Sequence, residues 1–477
     1  MRRICSALWI ALLMCHSLTA QQRNFIWYFG SYAGLDFHTD PPTILLDGRY
    51  SGGSACGSIC DTSGALLFYN EPDTIYTAQH DTMTWGTDLY GDPVSSSGIV
   101  VPWPDHPFVY YIFMAKGPGS PDYDPGAFYH RVDMSYFGGS GACVQKAVPL
   151  HDSVVTMVTA IPHGNGTDYW ALFHEWGSDK FLAFLVGANG LVTTPVISSA
   201  GEIHHLVSAT EGVGFMRPSS DGTQLAVCKY RNLGGPGYLD LFAFDPWTGA
   251  VSYRTRVESE QKFFALEFSP NGQFLYATIF NCDIALTNDI VQYDISVIDS
   301  AAIAASRTVL YAATYQTNCD GSFGVPALAP DNKIYVAIRW STSLGVVNEP
   351  DLPGVACDFQ YNAQSLGGRI NNLGLPNQVK FRDSTNTAIA ETHGGSGGPI
   401  LWPIPATTEV MLKLSIAVPK NARVRWIDEL GRVLRVEELR GNGPWRLDRA
   451  GLAAGCYTVA IITHDGAVID TGRVILE

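Results

Sequence analysis

The stretch Phe215-Met216-Arg217-Pro218-Ser219-Ser220-Asp221-Gly222, followed by the apolar run Leu225-Ala226-Val227-Cys228, decides how this chain is read. A Gly/Pro-rich loop (Gly234-Gly235-Pro236-Gly237) comes next, then Leu239-Asp240-Leu241-Phe242-Ala243-Phe244. The turn Asp245-Pro246-Trp247-Thr248-Gly249 leads on to Val251-Ser252. Short runs rich in aromatic residues, separated by Asp-Gly and Thr-Gly turns, are the mark of antiparallel strands joined by hairpins. The first turn recurs. Phe268-Ser269-Pro270-Asn271-Gly272 precedes a run from Phe274 to Phe280, and Leu328-Ala329-Pro330-Asp331-Asn332 precedes a run from Ile334 to Ile338.

Working outward, hairpin turns fall near Gly64, Asp105, Gly166, Gly222, Gly272 and Asn332, at intervals of 41 to 61 residues. A beat of that length in an all-strand chain means propeller blades, because a four-stranded blade cannot bury both faces alone and must stack on neighbours in a closed ring. Residues 24–382 at about 50–55 per blade predict roughly seven blades. The competing reading is an irregular β-sandwich, whose strands rarely keep so long a beat. Composition agrees with many strands and turns: aromatics are 12%, with 48 Gly and 27 Pro among 477 residues. The chain carries 45 acidic against 30 basic residues. Nucleic acid and anionic membranes call for a basic surface, so neither is expected as a partner.

Residues 1–20 read as a secretory leader. Arg2 and Arg3 form its charged region, Ile4 to Met14 its apolar core, and Ala20 a small residue before Gln21. Cys15 invites a lipoprotein reading, against which stands Met14, where such sites need a small residue. No later stretch reaches transmembrane length. Export makes cysteines meaningful. Cys56 and Cys60, on one extended strand, would lie ~13 Å apart, too far to bond. Cys282 and Cys319, each between Asn and Asp in polar segments, are the disulfide candidate. No spacing matches a zinc site, and neither a metal nor a cofactor is implied.

Ile26-Trp27-Tyr28-Phe29-Gly30 with Ala33-Gly34-Leu35-Asp36-Phe37 resembles the opening of a family of secreted Bacteroidetes propeller proteins. Further matching stretches are Gly64 to Tyr69, Tyr110 to Phe113, Val132-Asp133-Met134 and His163 to Trp170. Gly374-Leu375-Pro376-Asn377 resembles the closing motif. The resemblance covers about residues 24–380 and implies a WD40- or YVTN-like propeller at the cell exterior, without naming a reaction.

Residues 383–399 are small and polar, a flexible linker. Its Gly394-Gly395-Ser396-Gly397-Gly398 formally matches a nucleophile elbow, but the strand and helix that such an elbow requires are absent from the pattern. Residues 402–477 read as a separate small β-domain of about seven short strands, an Ig-like sandwich. It resembles the C-terminal sorting domain, type A, of the type IX secretion system. Trp402 to Thr407 stands at the start, Gly431 and Arg432 match its Gly-Arg turn, and Gly455 with Tyr457 match its late strand. Ile404 and Cys456 depart from that pattern. The resemblance implies the type IX machinery as a partner and a secreted or surface location reached through the periplasm. An accessory adhesive module is the other reading.

Chemistry is sparsely marked. His174-Glu175 lacks the second histidine of a His-Glu-x-x-His site, and His204 with His205 would point to opposite faces of a strand. Asp122 and Asp124 lack a calcium-loop pattern. Asp61, Asp221 and Asp331 occupy turns, where Asp bonds its own backbone. The densest set of His, Glu and Trp is His163, Trp170, His174, Glu175 and Trp176. These are candidates to line a propeller face and bind a glycan or protein ligand, with blade packing as the alternative. The expected function is extracellular binding or adhesion. The other reading is a propeller hydrolase, lactonase- or glycan-active, whose acidic and His side chains would converge at the central channel. An aromatic, uncharged rim would instead favour binding.

Overall fold

The computed structural model describes residues 22–381 apart from 54–55, 93–97, 118–124, 205–212, 231–236, 282–286 and 314–318. In the C-terminal part it describes 400–402, 409–413, 422–427, 433–439, 444–449, 451–453, 455–462 and 468–476. The chain divides into two compact units, 1–388 and 389–477.

In the first unit, consecutive strands pair antiparallel in chain order, sheet after sheet. Ile26–Phe29, Ala33–Asp36 and Thr43–Leu45 form a three-stranded sheet. The next eight strands form one sheet that is two meanders, Gly57–Cys60 to Thr82–Thr87 and Gly98–Pro102 to Ala142–His151. A single parallel pair, Ala142 with Thr84, joins them. A five-stranded sheet (Val154–Pro162 to Val196–Ser199) follows, and then three four-stranded ones opened by Gly214–Pro218, Phe263–Phe268 and Phe323–Leu328.

The first strand of each meander touches the first strand of the next: Gly57–Cys60 meets Gly98–Pro102, and so on to Phe323–Leu328. These strands are buried along nearly their whole length, whereas the last strands, such as Val196–Ser199 and Thr308–Ala313, are largely exposed. Meanders stacked face to face, with burial falling from first strand to last, are the architecture of a β-propeller.

All six turns read from the sequence link a first strand to a second. At Gly64, Asp105, Gly166, Gly222, Gly272 and Asn332, φ lies between 61° and 91°. Left-handed backbone suits Gly, Asn and Asp, which is why the turns were visible. The N–H of Gly64, Gly166, Gly222, Gly272 and Asn332 donates to the carbonyl three residues back at 3.0–3.1 Å. Asp61, Asp221 and Asp331 each accept the N–H two residues on, from Ser63, Thr223 and Lys333.

The three-stranded opening sheet has its inner edge covered by residues 370–380. Ser31 N–H donates to the Ile370 carbonyl (2.7 Å) and the Asn24 amide to the Val379 carbonyl (2.8 Å), so the late segment runs antiparallel to Ile26–Phe29. On its other side Val325 N–H donates to the Leu373 carbonyl, and ahead Asn377 N–H donates to the Cys56 carbonyl. The segment therefore stands between the first strands of two neighbouring meanders and closes the ring.

In the second unit, Ile400–Trp402, Glu409–Lys413 and Trp445–Asp448 form one antiparallel sheet. Arg423–Ile427, Val433–Glu438, Gly455–Ile462 and Val468–Leu476 form another. Val410, Leu412 and Leu447 of the first share a core with Val424, Trp426, Val459 and Ile461 of the second. Tyr457 is buried against Trp426 and donates to the Ala453 carbonyl at 2.9 Å, and Gly455 opens its strand. Gly431 and Arg432 lie outside the described residues, as do 383–399.

Candidate functional site

Of the five residues singled out in the sequence, His163 and Trp170 lie at one end of the strand Tyr169–Glu175 and His174, Glu175 and Trp176 at the other, with Trp170 and His174 ~13 Å apart along it. At one end, His163 shapes its own turn: Nδ1 accepts the Asn165 N–H at 3.0 Å and Nε2 lies 3.1 Å from the Trp247 carbonyl. The Trp170 indole donates to the Pro246 carbonyl at 2.9 Å, binding the turn to the next meander. At the other end, buried His174 donates from Nδ1 to the Glu175 carbonyl, and its ring lies 4.2 Å from that of His204, tilted by 36°. Burial pushes His174 down to about 4 and holds His204 well below its ordinary range. Glu175 pairs with His151 (3.2 Å) and Lys180 (3.1 Å). The Trp176 indole N–H is buried without a partner. The structure does not bring the five together.

The axis of the ring is filled by the closing segment. Buried Asn377 donates to the Gly98 and Val158 carbonyls, both at 2.9 Å, and accepts from the Arg217 guanidinium at 2.8 Å. Lys380 donates to the Pro218 carbonyl and pairs with Glu267, whose second oxygen lies 3.8 Å from Arg217 Nε. Burial lowers the Arg217 and Lys380 pKa values against the opposing pull of Glu267. One carboxylate between two cations is a clasp, and these groups are spent on each other. Among the described residues no cluster of three His, Cys, Asp or Glu is placed to hold a metal.

A second arrangement lies where the closing segment enters the ring. Tyr32 (42% exposed), Trp340 (50%) and Ile370 (37%) stand open to solvent. Tyr32 (φ 62°) and Trp340 (φ 56°) both sit in left-handed backbone, which is costly for large side chains. Backbone bonds tie the group together. Trp340 N–H donates to the Asn371 carbonyl (2.9 Å), Asn371 N–H to the Ser341 carbonyl (2.8 Å) and Arg339 N–H to the Ser322 carbonyl (2.9 Å).

Beneath these residues, Asn371 is fully buried, yet neither its amide oxygen nor its nitrogen has a hydrogen-bond partner. The same holds for the Ser322 hydroxyl and Arg339 Nε. Arg369 lies 5.9 Å from the Tyr32 ring and donates to the Leu46 carbonyl. Neither Arg339 nor Arg369 forms a salt bridge with a carboxylate among the described residues. The rim is aromatic, as a binding face was expected to be, but it carries cations where an uncharged one was foreseen.

A shallow groove of about 330 Å³ lined by Gly201, Glu202, Tyr253 and Arg256 is a weaker candidate. Its Arg256 is already forked onto buried Asp240 (2.8 and 2.9 Å) and bonded to Glu202.

Sequence reasoning missed Tyr32, Ser322, Arg339, Trp340 and Asn371. They are scattered along the chain and share no motif; the one signal nearby was the closing motif ending at Asn377.

No family model matches the chain, and no curated protein matches it. Among solved structures it is similar to hydrazine synthase of Kuenenia stuttgartiensis, at 12% identity over 77% of this chain and 92% of that one, with a TM-score of 0.38. It is similar to the periplasmic gluconolactonase of Pseudomonas aeruginosa at 14% identity, 77% and 96% coverage and a TM-score of 0.32. A quinonprotein alcohol dehydrogenase-like protein of Bacteroides thetaiotaomicron is 11% identical, with 75% and 76% coverage and a TM-score of 0.37.

Proposed function

We propose that this chain is an exported, seven-bladed propeller that binds an extracellular ligand at the channel mouth around Tyr32, Trp340 and Asn371. The opening sheet and the closing segment together make one of the seven blades. The C-terminal unit is an Ig-like sorting domain read by the type IX machinery, and Cys282 is bridged to Cys319.

One observation carries the binding reading. The polar groups at the ring axis are paired with one another through Asn377 and Lys380, whereas Tyr32, Trp340 and Ile370 stand exposed together where the closing segment enters the ring. Exposed aromatic faces grouped at one end of a rigid ring lose water on contact with a ligand, which favours binding there. The test is a glycan and peptide array probed with the full chain and with the Trp340→Ala variant. Retention of one ligand class, lost in the variant, is the expected result. Equal retention by both proteins would place binding elsewhere.

A further inference from the structure

Three stacked tyrosines in the first meander have surroundings that suit the loss of an electron. Tyr69 and Tyr76 stand directly opposite each other on the antiparallel strands Leu66–Asn70 and Thr74–Thr77, so their rings share one face. Tyr28, on the opening strand Ile26–Phe29, stacks on Tyr69 as well. Ring centroids lie 4.5 Å apart for Tyr28 and Tyr69 and 5.2 Å for Tyr69 and Tyr76, with planes tilted by 27° and 26°. Glycine at position 48 makes room for the first ring, because a Cβ there would come within 2.5 Å of it.

Each hydroxyl meets a base. Tyr28 donates to Asp47 Oδ1 at 2.9 Å, and Tyr76 to Glu71 Oε1 at 2.5 Å. Tyr69 Oη accepts the Arg49 N–H at 2.9 Å, which leaves its own hydrogen for His80 Nδ1 at 3.1 Å. His80 Nε2 then carries the ring hydrogen and directs it to Asp47 Oδ2, 3.3 Å away. Tyr69 is fully buried, His80 partly covered and Asp47 60% exposed, so this relay runs from core to solvent.

That geometry narrows the chemistry. No substrate touches a fully buried oxygen, which excludes nucleophilic or acid–base work by Tyr69 on a bound molecule. Burial holds the Tyr69 phenol up at about 12 and raises Tyr28 and Tyr76 too, so all three keep their protons at neutral pH. An electron, unlike a substrate, can cross a packed core, and stacked rings can share the vacancy it leaves. A phenol that has lost an electron is strongly acidic and persists as a radical where a base takes its proton. An imidazole takes it more readily than a carboxylate does.

We propose that Tyr69 is a redox-active tyrosine, which gives one electron to an outer-sphere one-electron oxidant while its hydroxyl proton passes to His80 Nδ1. The O–H bond breaks and an N–H bond forms. The products are a neutral tyrosyl radical, an imidazolium paired with Asp47, and the oxidant reduced by one electron. Re-reduction returns the electron to the ring and the proton to its oxygen. Tyr311 and Tyr361 provide a contrast: they lie 4.8 Å apart and nearly parallel, yet neither hydroxyl has a histidine or carboxylate partner among the described residues.

The test is electron paramagnetic resonance of the full chain after flash oxidation by photogenerated tris(bipyridine)ruthenium(III). The chain holds 22 tyrosines, so persistence of the radical, and not its mere formation, is the readout. The unaltered protein is expected to give a tyrosyl signal that outlasts that of free tyrosine and forms more slowly in heavy water. Tyr69→Phe and His80→Gln should each lose the persistent signal, and Tyr311→Phe should keep it. Melting curves identify variants that fold poorly, and the measurements on unaltered protein stand without them.

Absence of a persistent signal from the unaltered protein would overturn the proposal. So would a signal that survives in Tyr69→Phe, or one that disappears in Tyr311→Phe. A signal lost in Tyr69→Phe but unchanged in His80→Gln, with no effect of heavy water, would refute the transfer to His80.

Discussion

His174 and His204 are two buried imidazoles with ring centroids 4.2 Å apart and planes tilted by 36°, with Glu175 and Asp179 near the first and Lys229 and Tyr238 near the second. Burial keeps both neutral. The unfolded chain takes up protons near pH ~6.5, whereas folded His174 resists until about pH 4. Between those values the unfolded state holds more protons, so stability falls as pH falls. His174 alone contributes a loss of about 3 kcal/mol across that window. His204→Leu removes an unpartnered Nδ1, so it should leave stability near pH 7 unchanged or raised and should flatten the acid slope. Urea titrations at pH 7 and pH 4.5 check this. A variant as acid-sensitive as the parent would show that the pair is not the source.

At the scale of elements, the closing segment holds the ring with few bonds and little side-chain bulk. Asn377→Ala frees two carbonyls and the Arg217 guanidinium at once, and should cost about 2–4 kcal/mol. Lys380→Met alone leaves Glu267 buried beside a more distant Arg217, so it should cost more than the Lys380→Met, Glu267→Gln pair. Denaturant midpoints of the three proteins test both statements.

These elements were legible in unequal degree. The turns at Gly222, Gly272 and Asn332 could be read because left-handed backbone restricts residue choice locally. The closing motif at Gly374–Asn377 was visible through resemblance, but not the way its asparagine reaches across the axis. The mouth was invisible. Ser322 and Arg339 meet within one hairpin, but Tyr32 and Asn371 join them only when the ring closes, and nothing in strand alternation marks a polar atom left unpaired. His163 and His174 mislead for the converse reason, since residues dense along a sequence stand at opposite ends of the strand they flank.

For the whole molecule, the division into two units predicts that the proposed export can be separated from the proposed binding. Deleting residues 405–477 should leave a soluble, cooperatively melting propeller held in the periplasm of the native host, while the full chain reaches the surface or medium. Cell fractionation with an antibody to the propeller decides the matter. Normal surface amounts of the shortened protein would favour the adhesive reading of the second unit. Cys282 lies outside the described residues, and Cys319 is buried and absent from the free thiols among the described residues, which are Cys56, Cys60, Cys143, Cys228 and Cys357. Mapping of unreduced protein should recover the Cys282 and Cys319 peptides joined, a closure that stabilises by roughly 3–4 kcal/mol in the chain-entropy model. Alkylation of both thiols without reduction would refute the bridge.

The pairing of residues 370–380 with Ile26–Phe29 also sets an order in time. A chain emerging from the ribosome or a translocon presents the earlier strand first and its partner some 340 residues later. At ~5–20 residues per second that strand waits tens of seconds with its inner edge bare. Until the late segment arrives, every finished meander belongs to an open arc whose ends invite pairing with other chains. Completion of this propeller is therefore a late event, and the first strand must be shielded until the closing segment is made.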